Sequence, residues 1–380
     1  MIKGRHGVGT LLLILGVISA PTLANQDFEN EITDRESAEQ FLEELEPTTQ
    51  WLGSLGQHLA TGVDDPWVNV FATTVQLPDF SLTVGQRDAI WKAARKAGWD
   101  DPTVLWQLWA AKCPPYNVIE GRTTESSCGD PEVEARLRAL EPDNAAALVL
   151  GIDNTGTDAD DLLSPENRRL LDAAGQLQTF TTWSLAGADR LYRAIAEFVA
   201  SNPPPDGFSA DPFGATAFEL FVLTLVSDSG STILGTSRFV RPCRTAFQLD
   251  EASILNACRS IIEAIKATAR SEITLALATE LGFGFDVSHG ADGKPSGWAE
   301  ESRRQSDLRS CRSTAFLEHA LDAVTEENQA EQLANEVATR GPRRAWHNAA
   351  IHDFAQHPER YTVDPSDCEA AFPVLQPAPR

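Results

Sequence analysis

Residues 128–154 read CGDPEVEARLRALEPDNAAALVLGIDN. Asp130-Pro131 opens a helix: the Asp carboxylate can accept from free first-turn N–H groups, and Pro fits the first helical position, where its missing N–H costs nothing. Val133, Leu137 and Leu140 follow at spacings of four and three, one apolar stripe on a helix. Pro142 disfavours helical backbone at Glu141, so the chain turns there. Leu148, Leu150 and Ile152 are then placed on a second helix, and Ala145, Ala146 and Ala147 let it pack back closely on the first. The expected unit is a helix, a tight Pro turn and a returning helix.

The rest of the chain follows the same pattern. Thr33 and Glu36 fit a capping box ahead of Phe41, Leu42 and Leu45. Pro47 is expected to end that helix, and a second arm runs through Trp51, Leu52, Leu55 and Leu59 to Gly62. LEELEP at 42–47 echoes LRALEP at 137–142, and in both copies Leu-Gly follows eight residues after the Pro. Asp64-Asp65-Pro66 and Asp100-Asp101-Pro102, 36 residues apart, each begin an aromatic-rich helix. Thr83 with Gln86 makes another capping box, and Gly98 closes the helix that carries Ile90 and Ala94. Ser164-Pro165 starts a helix through Leu170, Leu171, Ala174 and Leu177; another follows through Leu185, Leu191, Ile195 and Phe198.

NPPPDGFSAD at 202–211 is the strongest break, because consecutive prolines cannot continue a helix. Beyond it, helices are expected from Asp211-Pro212, over 249–282, over 298–325 and over 342–357. The expected fold is therefore all-α: stacked antiparallel helical hairpins, α-solenoid-like or irregular. It has an N-terminal hairpin region at 25–201, a C-terminal helical region at 211–360 packed on the first, and a Pro-rich tail at 361–380. The hairpin at 128–154 resembles a tetratricopeptide-repeat hairpin, without that repeat's Trp, Gly and Tyr positions. The resemblance implies a helical-repeat fold and no particular ligand. From Cys113 to about Gly282 the chain also resembles uncharacterised secreted helical proteins of gammaproteobacteria, a likeness that brings no activity with it.

Residues 1–24 read as a secretory signal: Lys3 and Arg5, then the apolar segment LLLILGVISA at 11–20, then Thr22-Leu23-Ala24 before the cut. The expected location is periplasmic or secreted, with no stable membrane insertion after cleavage. The 380-residue chain carries a formal charge of −24. Such a surface repels phosphate backbones, which argues against nucleic acid, and suits a cationic partner. The six cysteines all lie beyond residue 112, and an even count in an exported chain favours disulfides. Cys113 and Cys128 flank one polar, Pro-containing loop between two expected helices, and Cys243 and Cys258 have the same separation of fifteen, with Pro242 and the turn region at 248–250 allowing the chain to reverse between them. The expected pairs are 113–128, 243–258 and 311–368.

Candidate chemistry is sparse. Trp99, Trp106 and Trp109 are spaced to share one helical face, either as an aromatic platform for sugar or peptide or as hairpin packing. Asp153, Thr155, Thr157 and Asp161 faintly resemble a calcium loop, but Gly stands at its fourth position and Ser164 where a bidentate Glu belongs. His347, His352 and His357 recur every five residues, which on one helix aims them apart. Asp286, His289 and Asp292 sit in a Gly-rich loop of the kind that often carries sites. No metal site, cofactor or catalytic constellation is expected from these patterns. The leading expectation is an exported binding or scaffold protein for a protein or peptide partner. The rival is a helical-toroid enzyme acting on envelope carbohydrate through paired carboxylates.

Overall fold

The computed structural model describes residues 35–75, 77, 79–112, 129–183, 185–205, 238–268, 327–360 and 364–366. Thirteen α-helices make up these segments, and among the described residues there is no strand, only one isolated bridge between Asn144 and Thr179. The protein is all-α.

Asp-Pro and Ser-Pro pairs open helices as their chemistry dictates. α1 spans Arg35–Gln57, and α2, Pro66–Ala72, starts where Asp65 Oδ1 accepts from the Val68 N–H at 3.0 Å. α3, Val84–Ala97, carries the Thr83–Gln86 capping box and ends at Gly98. α4, Pro102–Ala111, is capped by Asp101, and α5, Pro131–Leu140, by Asp130, whose Oδ1 takes the Glu132 and Val133 N–H groups. α6 is Ala145–Val149, α7 Ala159–Leu162 and α8 Pro165–Gly175, the last capped by Ser164. α9, Ala188–Ser201, precedes the proline break. After it come α10, Val240–Gln248, α11, Ala252–Thr268, α12, Glu327–Arg340, and α13, Pro342–Gln356.

Two expectations are corrected here. Pro47 does not end a helix: α1 runs through it and continues into a π-helical turn at His58–Gly62, so 35–62 is one rod instead of a hairpin. The rod is held by its buried face beyond Pro47, and the residues after the proline also reach back to Glu46. Thr49 Oγ1 donates to Glu46 O at 2.9 Å and Gln50 Nε2 to Glu46 Oε1 at 3.0 Å, while Leu52, Leu55 and Leu59 are fully buried. The second correction concerns α6, which stops at Val149. Leu150 and Ile152 lie beyond it, though both are buried in the core. α6 also packs more extensively on α8 than on α5.

Packing is not confined to successive elements. α2 packs on α3 and α4; α8 receives both α6 and α11; α9 receives α12, which pairs with α13. One hydrophobic cluster runs continuously from Leu52 and Trp67 through Ile195 to Ile261 and Val337. The helices on either side of the proline break are thus joined through α8–α11 and α9–α12, an irregular array rather than a linear stack. At the first crossing Gly175 permits backbone contact: a Cβ there would stand 2.7 Å from Ala257 Cα. Polar ties reinforce it. Arg168 forks onto Glu251 at 2.6 and 2.8 Å, and Thr268 Oγ1 donates to Phe180 O at 2.9 Å.

Cys243 and Cys258 are bridged, joining α10 to α11 across the turn at Leu249 and Asp250, as their spacing predicts. Cys113, Cys128, Cys311 and Cys368 lie outside the described residues, as do residues 1–24, the expected helices at 211–226 and 298–325, and Asp286, His289 and Asp292. No helix among the described residues is long and apolar enough to cross a membrane.

Candidate functional site

α4 and α5 bring together the tryptophans and the carboxylates. Trp106 and Trp109 lie on α4 and are buried, whereas Trp99 sits in the turn before it, so the three do not share one helical face. Each buried indole is aimed at a carboxylate of α5 or of its C-cap. Trp109 Nε1–H donates to Glu134 Oε1 at 2.9 Å, and Trp106 Nε1–H to Glu141 Oε2 at 2.7 Å. The second Glu141 oxygen takes the Trp183 indole N–H. Arg238, placed by the turn before α10, pairs with Glu134 at 3.0 Å and covers the Trp109 ring at 5.1 Å. Trp99 is covered by Arg95 at 4.6 Å. Trp106 and Trp109 fill a helical seam with their indole N–H groups anchored, and they offer no exposed face to a sugar, while Trp99 is partly buried beneath Arg95.

The carboxylates differ electrostatically. Burial pushes the Glu141 carboxyl above the ordinary glutamate range, and the N–H groups of Trp106, Trp183 and Asn144 only partly counter it. At Asp130 burial acts in the same upward direction, but the Lys112 ammonium and the Val133 and Glu132 N–H groups outweigh it and hold the acid below its usual value. Glu134 lies in the first turns of α5, whereas Glu141 caps its C-terminus outside helical geometry. Both are committed to packing partners.

The expected acidic and histidine motifs are also distributed. Asp153 Oδ1 accepts from Thr155 N–H and Oγ1–H at 3.0 and 2.7 Å, and those bonds hold its carboxyl below the ordinary range. Arg241 occupies the Asn154 and Gly156 carbonyls of the same loop. His347 is buried, His352 is exposed beside Gln356, and His357 stands past the end of α13, 3.7 Å from Glu359. Among the described residues no cluster of three or more His, Cys, Asp or Glu side chains could hold a metal ion.

Among the described residues an open groove lies between α12 and α13. The two helices form an antiparallel hairpin because Gly341 adopts φ +83°, the left-handed region that glycine tolerates, and Pro342 starts the returning helix. α12 turns Ala330, Leu333, Ala334 and Val337 inward toward α9 and α13. Gln329, Gln332, Leu333 and Glu336 form one wall of the groove, and Ala345, Asn348, Ala349 and His352 line the other. The small alanines of α13 leave unfilled a trough of about 500 Å³. Asn348 Nδ2 donates to Glu336 Oε2 across it at 2.9 Å. Its size falls in the range of ligand and peptide sites. One wall of the site, α12, lies between the helices expected at 298–325 and 342–357, and the helical spacing of Ala330, Leu333, Ala334 and Val337 is its sequence signal.

No family model, curated protein or solved structure matches the chain.

Proposed function

We propose that this is an exported, acidic helical protein that binds a protein or peptide segment in the α12–α13 groove. The observation that carries this reading is the trough itself: a half-apolar channel with polar rims, set on a hairpin whose far side is anchored to α9. Grooves between packed helices are a common peptide-binding architecture. Export is supported by the apolar segment at 11–20 and by the Cys243–Cys258 bridge, which belongs to an oxidising compartment. The carboxylates best placed for chemistry, Glu134 and Glu141, are occupied with Arg238 and indoles, which favours binding over carbohydrate hydrolysis.

The test is capture from a periplasmic extract with the full oxidised chain and with Ala349→Trp, a substitution that fills the trough. Binding is expected to one or few partners by the wild type and to be lost in the folded variant. Equal capture by both would remove the groove from the reading, and no partner at any salt concentration would remove the reading itself.

A further inference from the structure

We infer that the occupant of this groove is a basic amphipathic helix of about two to three turns, an inference that rests on the binding role proposed above. The two walls have the same spacing. Gln329, Gln332 and Glu336 on α12 and Ala345, Asn348 and His352 on α13 each mark one helical stripe, at positions i, i+3 and i+7. Two such stripes on an antiparallel pair form the seat that a third helix fills with its own i, i+3/i+4, i+7 side chains. Seven to ten residues of wall extend about 10–15 Å, which sets the length of the occupant.

Backbone chemistry selects the conformation. The walls are helices whose main-chain groups are already paired, so they offer nothing to an extended strand. A strand would carry unpaired N–H and C=O groups into a half-apolar trough, whereas a helix satisfies its own. Charge selects the composition. Glu336 is half-buried in the wall and receives the neutral Asn348 amide, and no Lys or Arg among the described residues pairs with it. The whole chain carries −24. A Lys or Arg on the occupant would pair with Glu336, and the chain's net negative charge would favour the encounter.

The experiment uses the full oxidised chain and three fluorescent synthetic peptides with one Leu stripe: a Lys-faced helix, its Glu-faced counterpart, and the Lys form with a central Pro. Anisotropy titrations are expected to show the Lys helix binding at least about tenfold more tightly than either other peptide. Glu336→Gln should weaken the Lys helix several-fold, with an unchanged circular dichroism spectrum. Glu331→Gln, an exposed change on α12 outside the trough, should leave it unaltered. Equal affinities for the three peptides, or equal losses in the two Gln variants, would overturn the inference. If the extract yields a groove-dependent partner that the Lys helix does not displace, this inference falls while the binding role stands. Self-association abolished by Ala349→Trp would make a second copy the occupant and overturn it as well.

Discussion

LEELEP at 42–47 and LRALEP at 137–142 are nearly the same sentence with two outcomes. In the first, Pro47 lies inside α1 and the helix continues. In the second, the helix stops: Glu141 leaves helical geometry at φ −125°, ψ 60°, and Asn144 caps the next one. The difference lies in what surrounds the motif. Glu46 is exposed and accepts from Thr49 and Gln50 in the next turn, and the helix beyond Pro47 is held by the burial of Leu52, Leu55 and Leu59 in the core. Glu141 is instead pulled into the seam by two indoles. Asn144 is fastened elsewhere, with Nδ2 donating to Thr181 O at 2.8 Å and Oδ1 accepting from Thr181 N at 3.0 Å. A proline thus marks where a helix can end; its partners decide whether it does.

The comparison breaks most visibly at the prolines. Pro47→Ala should stabilise the protein by up to about 3 kcal/mol, since it restores an interior N–H and relieves the ring's clash with the preceding turn. Pro142→Ala should destabilise by about 0.4–1 kcal/mol, because there the ring only restricts the unfolded chain. Urea unfolding midpoints at matched m-values test the pair, and effects of the same sign would refute the contrast.

The Leu-Gly steps that follow each proline provide the next test. A Cβ on Gly56 would stand 2.7 Å from Cδ1 and Cδ2 of the Phe80 ring. On Gly151 it would meet the end of the Arg138 side chain at 2.6 Å, which can swing away. Gly56→Ala is therefore expected to cost about 1–3 kcal/mol and Gly151→Ala under about 1. Thermal melts of the two variants should separate by several degrees, with Gly56→Ala the lower.

Asn144→Ala removes a cap and both Thr181 bonds and should cost about 1–2 kcal/mol. Gln50→Ala, at the same step after the other proline as Ala145, removes one exposed bond and should cost about 0.5 kcal/mol or less. Hydrogen exchange would localise the first loss to α6 and the 179–181 strip; uniform loosening across α1 would contradict it.

The smallest effect is the pH slope from Glu141. Its folded carboxyl is raised, so between the ordinary glutamate value and the raised one the folded chain holds more protons than the unfolded. Stability from this group falls as pH rises through that window and recovers on acidification. Glu141→Gln should remove that slope, so the variant gains on the wild type as pH rises. Midpoints that run parallel across the window would show that Glu141 is not the source.

Capping chemistry was the most legible part of the chain. Asp65, Thr83, Asp101, Asp130 and Ser164 each cap the helix that their sequence context announces, because a cap needs only its own first turn. The Cys243–Cys258 bridge was legible for a similar reason, with both partners on one local reversal. The roles of Trp106 and Trp109 were less so: their spacing indicated a shared face, but Glu134, Glu141 and Arg238 come from other elements. The groove was not legible, since it required α12 and the small side chains of α13 to be seen together.

By itself the sequence determined the helical class, most helix starts, the acidic surface and one disulfide. Each follows from chemistry within a few turns of chain or from composition alone. Only the tertiary structure decided that Pro47 is helical and Pro142 terminal, that α8 joins α6 to α11 across the proline break, and that α12 and α13 leave a trough open. Those outcomes depend on groups tens to about a hundred residues apart, such as Glu134 with Arg238 and Gly175 with Ala257, whose meeting no local pattern encodes.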